Sequence, residues 1–138
     1  MCSPTDLRSD SSTSVFLLEH IPSVLTHRDL AEVNILISDD GHVTGVVDFD
    51  HAGLEAFGMS IWCVFECFLG GMTDGKFPFF DQLVGSDSAR TVRDVLEETF
   101  WQALWSAVPQ QLSKARHERS VRLALAIGVM DRYLFNSG

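Results

Sequence analysis

The stretch His27-Arg28-Asp29-Leu30-Ala31-Glu32-Val33-Asn34 is followed by Val46-Val47-Asp48-Phe49-Asp50, with Asp48 standing fourteen residues beyond Asn34. Between them, Ile35-Leu36-Ile37-Ser38 and Val43-Thr44-Gly45-Val46-Val47 are rich in β-branched residues and flank Asp39-Asp40-Gly41, a turn signal. A β-hairpin is predicted. Strands that pair about position 40 or 41 set Asn34 across from positions 46–48, so that the Asn34 amide and the Asp48 carboxylate share the open end of the hairpin. Asp29 lies on the loop entering that end. Three oxygen-bearing groups therefore converge through local geometry alone.

Such a trio suits the transfer of a terminal phosphoryl group. That chemistry needs a carboxylate beside the acceptor hydroxyl and magnesium ions to neutralise the phosphate oxygens. Asp29 can serve as the carboxylate. Asn34 and Asp48 can hold Mg2+, which prefers hard oxygen ligands and takes few from the protein when substrate phosphates supply the rest. Taken singly, Asp29 and Asn34 are ordinary turn residues and Asp48 an ordinary strand end. Their combination, in register across one hairpin, carries the reading.

The pattern from His27 to Asn34 matches the catalytic loop of protein kinases at each fixed position, and Asp48-Phe49 stands where Asp-Phe-Gly would. Neither that glycine nor an Ala-Pro-Glu follows, so a protein-kinase fragment is the weaker alternative. The runs from Val24 to Ile37, Gly45-Val46-Val47-Asp48-Phe49-Asp50-His51-Ala52 and Phe57-Gly58-Met59-Ser60-Ile61-Trp62 resemble the aminoglycoside phosphotransferase and choline kinase-like family, particularly its fungal-type members. The resemblance covers residues 24–62. It implies a bilobal kinase-like fold and transfer of the γ-phosphoryl group of ATP or GTP to a small-molecule hydroxyl. Asp29 would be catalytic base, Asn34 and Asp48 the magnesium ligands, and His27 a residue that shapes the loop. Family members commonly carry glycine where Arg28 stands.

A kinase-like nucleotide site also uses a glycine-rich loop and a strand lysine on an N-terminal lobe. The 26 residues before His27 contain no glycine, and no lysine occurs before Lys76. The expectation is therefore an α+β chain: a mainly helical C-terminal lobe of a protein-kinase-like fold over residues 15–138, with a small β-hairpin carrying the metal site and the N-lobe absent. Residues 1–14, dominated by Ser, Asp and Thr, are too polar to offset the entropy of ordering and are expected to be disordered. On this reading activity of the chain in isolation is not expected. A non-catalytic kinase-like fragment is the second hypothesis, binding a protein partner through the N-lobe-facing surface around Leu18, Ile21 and Val24.

The rest of the sequence supplies scaffold. Ser60 is expected to start a buried helix carrying Cys63 and Cys67, which pack as small hydrophobes in the absence of zinc-type spacing. Phe77-Pro78-Phe79-Phe80 is read as a plug under the lobe. Two further helices are expected. One runs over residues 88–107 with Val92, Val95, Leu96, Thr99, Phe100, Ala103 and Leu104 on its apolar face, and the other over residues 114–135 with Val121, Ala124, Leu125, Gly128, Val129 and Leu134 inside. His20, His42, His51 and His117 have no ligand-like spacing, although His51 lies beside the hairpin end.

With 138 residues, 46% hydrophobic and 21% charged, the composition is that of one ordinary globular domain. The three cysteines do not form a secreted disulfide framework, and neither a signal peptide nor a membrane span is apparent, so the cytoplasm is the expected location. The net charge of −9 argues against nucleic acid. An acidic lobe suits a cationic acceptor, but the acids are spread along the chain as on a solvated surface.

Overall fold

The computed structural model describes residues 20–71 and 73–135. Among them the order is β1 (Ser23–Thr26), a 3-10 turn (Glu32–Asn34), β2 (Ile35–Ile37), β3 (Val43–Val46), β4 (Gly53–Ala56), α1 (Ile61–Phe68), α2 (Val92–Ala107) and α3 (Lys114–Met130). A π-helical turn, Asp131–Phe135, ends the described chain. The result is a small α+β domain with two small antiparallel sheets and three α-helices among the described residues.

The hairpin forms as its sequence predicts. Ile35 pairs with Val46 and Leu36 with Gly45, while a bulge moves Ile37 opposite Val43. Gly41 closes the turn at φ 86°, a left-handed conformation that glycine adopts without steric cost. The other sheet was not anticipated: β1 pairs antiparallel with β4, Ser23 opposite Ala56 and Thr26 opposite Gly53. No turn signal joins these strands, because their pairing spans the whole hairpin and its flanking loops.

Ile21, Trp101, Val121 and Ala124 form a core against which Ala56 of β4 and Phe65, Phe100, Leu104 and Leu125 of the helices pack. Val121, Ala124, Leu125 and Gly128 recur at helical spacing along α3, so one side of that helix faces inward. Phe65 of α1 meets Phe100 and Trp101 of α2 edge-on, at centroid distances of 5.6 and 6.0 Å. Small residues set how closely α3 approaches. A side chain at Gly128 would run into the Met59 carbonyl, and one at Gly58, where φ is 110°, would come within 2.8 Å of the Val121 carbonyl oxygen.

Several expectations need correcting. The second helix begins at Val92 and not at residue 88, because Thr91 and Asp94 form a reciprocal capping box that fixes the start. Its inward face centres on Trp101 with Phe100, Leu104 and Trp105, whereas Val95, Leu96, Thr99 and Ala103 are exposed. In the third helix Val129 and Leu134 also face solvent, since the helix widens into the π turn after Met130. Phe77 and Phe79 are half in water at the rim of a pocket and do not plug the lobe. Ile21, expected on an exposed N-lobe-facing patch, is a core residue at 7% exposure. Leu18 and the segment 1–14 lie outside the described residues.

Candidate functional site

Strand β1 carries the chain into His27-Arg28-Asp29, and β4, held alongside it, returns the chain towards α1. His27 is buried, and its Nε2–H donates to the Val47 carbonyl at 2.7 Å. The ring also packs against Phe49 with centroids 4.7 Å apart. One side chain thus grips both residues that flank Asp48. Its Nδ1, buried and without a hydrogen-bond partner, makes this grip a matter of shape as much as of polarity.

Asn34 completes the junction. It is buried at the end of the 3-10 turn, and its Nδ2 donates to the Asp29 carbonyl at 2.9 Å. Its own carbonyl accepts from the Val47 N–H at 3.0 Å. Asp29, Asn34 and the residue preceding Asp48 are therefore tied by two hydrogen bonds at the open end of the hairpin, in the register that the sequence predicts. The Asn34 amide nitrogen is spent on Asp29, which leaves the amide oxygen, the atom a hard cation takes. Asp48 is exposed at φ 63°, and Arg28 stands at φ 66°. Non-glycine residues in this region cost of order 1–3 kcal/mol and gather where a site over-determines the backbone. The left-handed backbone at Arg28 also explains why glycine suits this position.

Arg28 is held by Glu55, a residue that the sequence did not single out. The Arg28 Nε lies 2.6 Å from a Glu55 carboxylate oxygen, and the hydroxyls of Thr26 and Ser60 donate to the other oxygen. Burial of Glu55 acts to raise its pKa, but the hydrogen bonds from Ser60, Arg28 and Thr26 outweigh it and hold the carboxyl below the ordinary value. Ser60 therefore spends its hydroxyl on Glu55 and does not cap α1.

From beneath, α1 braces the loop. Cys63 Sγ lies 3.8 Å from the Arg28 carbonyl and Cys67 Sγ 3.4 Å from the Leu30 carbonyl, one on each side of Asp29. Burial pushes both thiols up to about 11, so they are neutral at physiological pH. The core reading holds for Cys63, whereas Cys67 is half-buried and borders a pocket, and both sulfurs support the loop that carries Asp29.

Asp29 opens into a polar pocket of about 550 Å³ whose walls include Arg28, His51, Glu55, Trp62 and Arg132. His51 is thus at the pocket wall, exposed. Trp62 and Arg132 are seventy residues apart in the chain, and the guanidinium of Arg132 sits 5.4 Å from the centre of the Trp62 ring. Arg132 carries no local motif, and only the fold brings it to Trp62. Among the described residues, no group of three or more His, Cys, Asp or Glu side chains assembles into a metal cage. Magnesium does not need one where phosphates and water supply most of its ligands. No helix among the described residues is long and apolar enough to cross a membrane.

Comparison with curated proteins and with solved structures found no match. Residues 13–67 match the model of the phosphotransferase enzyme family, a stretch that takes in β1, the Asp29 loop, the hairpin, β4 and most of α1. This match supports kinship with the aminoglycoside phosphotransferase and kinase-like proteins, and it suggests a role in phosphoryl transfer.

Proposed function

We propose that the chain supplies the catalytic C-terminal lobe of a small-molecule kinase that transfers the γ-phosphoryl group of ATP or GTP to a hydroxyl. The acceptor would sit in the polar pocket, where the Asp29 carboxylate takes the hydroxyl proton as the oxygen attacks phosphorus. Asn34 and Asp48 would hold Mg2+, which neutralises charge on the phosphate oxygens. The remaining residues act on position: His27 and Asn34 fix the loop against the hairpin end, and Glu55 holds Arg28. The observation that carries the reading is the pair of hydrogen bonds joining Asp29, Asn34 and Val47. A glycine-rich phosphate loop is not among the described residues, so the proposal is for a lobe that works with a nucleotide-binding partner lobe.

The test is calorimetric titration of the full chain with Mg·ATP and Mg·GTP, beside the Asp48→Ala variant. Binding that disappears in the folded variant is expected. Equal binding by both proteins would sink the assignment of Asp48, whereas no binding by the folded wild type would mean that the lobe needs its partner lobe to hold nucleotide.

A second reading, a non-catalytic module that binds a protein, has one observation in its favour. Leu25 and Leu54 are directly opposed on β1 and β4 and are 70% and 73% exposed. Paired apolar side chains in water are the kind of surface a partner covers. Under this reading, Leu25→Ser/Leu54→Ser would abolish complex formation while leaving nucleotide binding unchanged.

A further inference from the structure

The basic residues of this acidic chain are unevenly placed. Four of its ten Lys and Arg residues, Lys114, Arg116, Arg119 and Arg122, lie between positions 114 and 122 of α3, with Glu118 as the one acid among them. All four are exposed, and with Ala115 and Glu118 they line an open depression of about 470 Å³ on this single helix. Arg116, Arg119 and Arg122 follow one another at three-residue intervals, forming a strip turned away from the buried Ser120, Val121 and Ala124. Arg122 is held in place: it pairs with Glu118 and Glu97, and its guanidinium lies 4.3 Å from the centre of the Trp101 ring. Among the described residues, the side chains of Lys114, Arg116 and Arg119 make no ion pair or hydrogen bond.

This strip weakens the helix that carries it. Cations in the first turn oppose the helix dipole, and like charges three residues apart repel. The first turn of α3 holds no acid and Ser113 makes no side-chain cap, whereas α2 starts on a complete capping box with Asp94 in its first turn. A segment that breaks the local rules its neighbour obeys is where function is expected. The strip is one helix wide, and on its α2 side stand Asp94, Glu97 and Glu98. An anionic bilayer or a nucleic-acid duplex is wider than that and would lie over those acids too, while the net charge of −9 opposes any large polyanion. A single nucleic-acid strand is held by aromatic faces on which its bases stack, and the lining of the depression contains no aromatic residue. A narrow acidic peptide reaches the arginines without meeting α2, and carboxylates match the guanidinium fork.

We propose that the strip of Lys114, Arg116, Arg119 and Arg122 is a docking surface for an acidic segment of a partner protein, whose carboxylates pair with the three side chains that have no partner within the domain. The inference does not rest on the phosphotransferase reading. The strip occupies the start of α3, and the polar pocket is bordered by Gly128 and Arg132 at the far end of that helix.

The test is fluorescence anisotropy of a labelled oligoglutamate peptide titrated with the full chain at low salt, beside oligothymidylate by the same method and phosphatidylserine vesicles by sedimentation. Oligoglutamate is expected to bind, and to weaken by about tenfold or more as salt rises to about 0.15 M. Arg116→Glu and Arg119→Glu should each weaken it by about tenfold or more, whereas Lys76→Glu, the same change in net charge at an exposed site elsewhere, should weaken it by less than about twofold. Urea unfolding should find Arg116→Glu and Arg119→Glu no less stable than the wild type, since each removes a like-charge neighbour. Lower stability in both would make the arginines structural and overturn the proposal. Absence of oligoglutamate binding at low salt, or equal effects of all three substitutions, would also overturn it. Binding of oligothymidylate or of the vesicles as tight as that of the peptide would assign the strip to nucleic acid or to a membrane instead. Binding of Mg·ATP or Mg·GTP is expected to be the same in all four proteins, so this inference and the phosphotransferase reading fail separately.

Discussion

His27 donates from Nε2 to the Val47 carbonyl at 2.7 Å, so the residue two before Asp29 holds the residue just before Asp48. Two segments that meet only through a twenty-residue excursion are fastened by one buried side chain. His27→Leu should leave the Val47 carbonyl unpaired, at a cost of about 1–3 kcal/mol. Urea unfolding measures the loss, and nucleotide titration should show weaker magnesium-dependent binding. A variant with unchanged stability and affinity would show that the grip is incidental.

Gly128 and Gly58 allow α3 to lie against the start of α1. Gly128→Ala forces a methyl group into the Met59 carbonyl, and overpacking of this kind costs about 1–3 kcal/mol or more. Gly85 has nothing within 4 Å of an added Cβ, so Gly85→Ala serves as the control. The two variants should separate clearly in denaturant midpoint, with only Gly128→Ala destabilised.

The Glu55 network should make stability sensitive to acid. Its carboxyl is held below the ordinary 4.5 in the folded state, so its contribution is complete above that value and is lost as pH falls through the folded pKa. As pH falls below 4.5 the wild type should lose stability more steeply than Glu55→Gln. Asp94, lowered by its hydrogen bonds to Thr91, acts in the same direction but is present in both proteins. Parallel pH profiles would remove Glu55 from the account.

Cys63 and Cys67, raised to about 11 by burial, should resist alkylation at neutral pH while the protein is folded. Peptide mass mapping after brief iodoacetamide treatment should find both unmodified in buffer and both modified in denaturant. Rapid labelling of Cys63 in buffer would mean that the loop above α1 opens.

Much of the site was legible because it is local. The hairpin strands, the Asp-Asp-Gly turn and the spacing of Asn34 from Asp48 lie within a few residues of one another, so β alternation and turn chemistry set their register. The inward residues Val121, Ala124 and Gly128 were legible for the same reason, since helical spacing lies within one element. The capping box at Thr91 and Asp94 was also present as a local signal, and it would have placed the start of α2 correctly.

Other features depend on partners far away in the chain. Spacing along α2 is compatible with an inward face at Val95 or at Trp101, and only the position of Phe65 and Val121 selects the latter. Glu55 has no motif of its own, and its meaning comes from Thr26, Arg28 and Ser60, which β1–β4 pairing brings to it. Phe77 and Phe79 are apolar residues that the sequence alone would bury, yet the chain ends of α1 and α3 leave them at a pocket rim. The sequence by itself determined the hairpin and the meeting of Asn34 with Asp29 and Val47 at its open end, because hairpin geometry is short-range. Tertiary structure decided what surrounds it, because a pocket is made where surfaces from distant segments fail to close on one another.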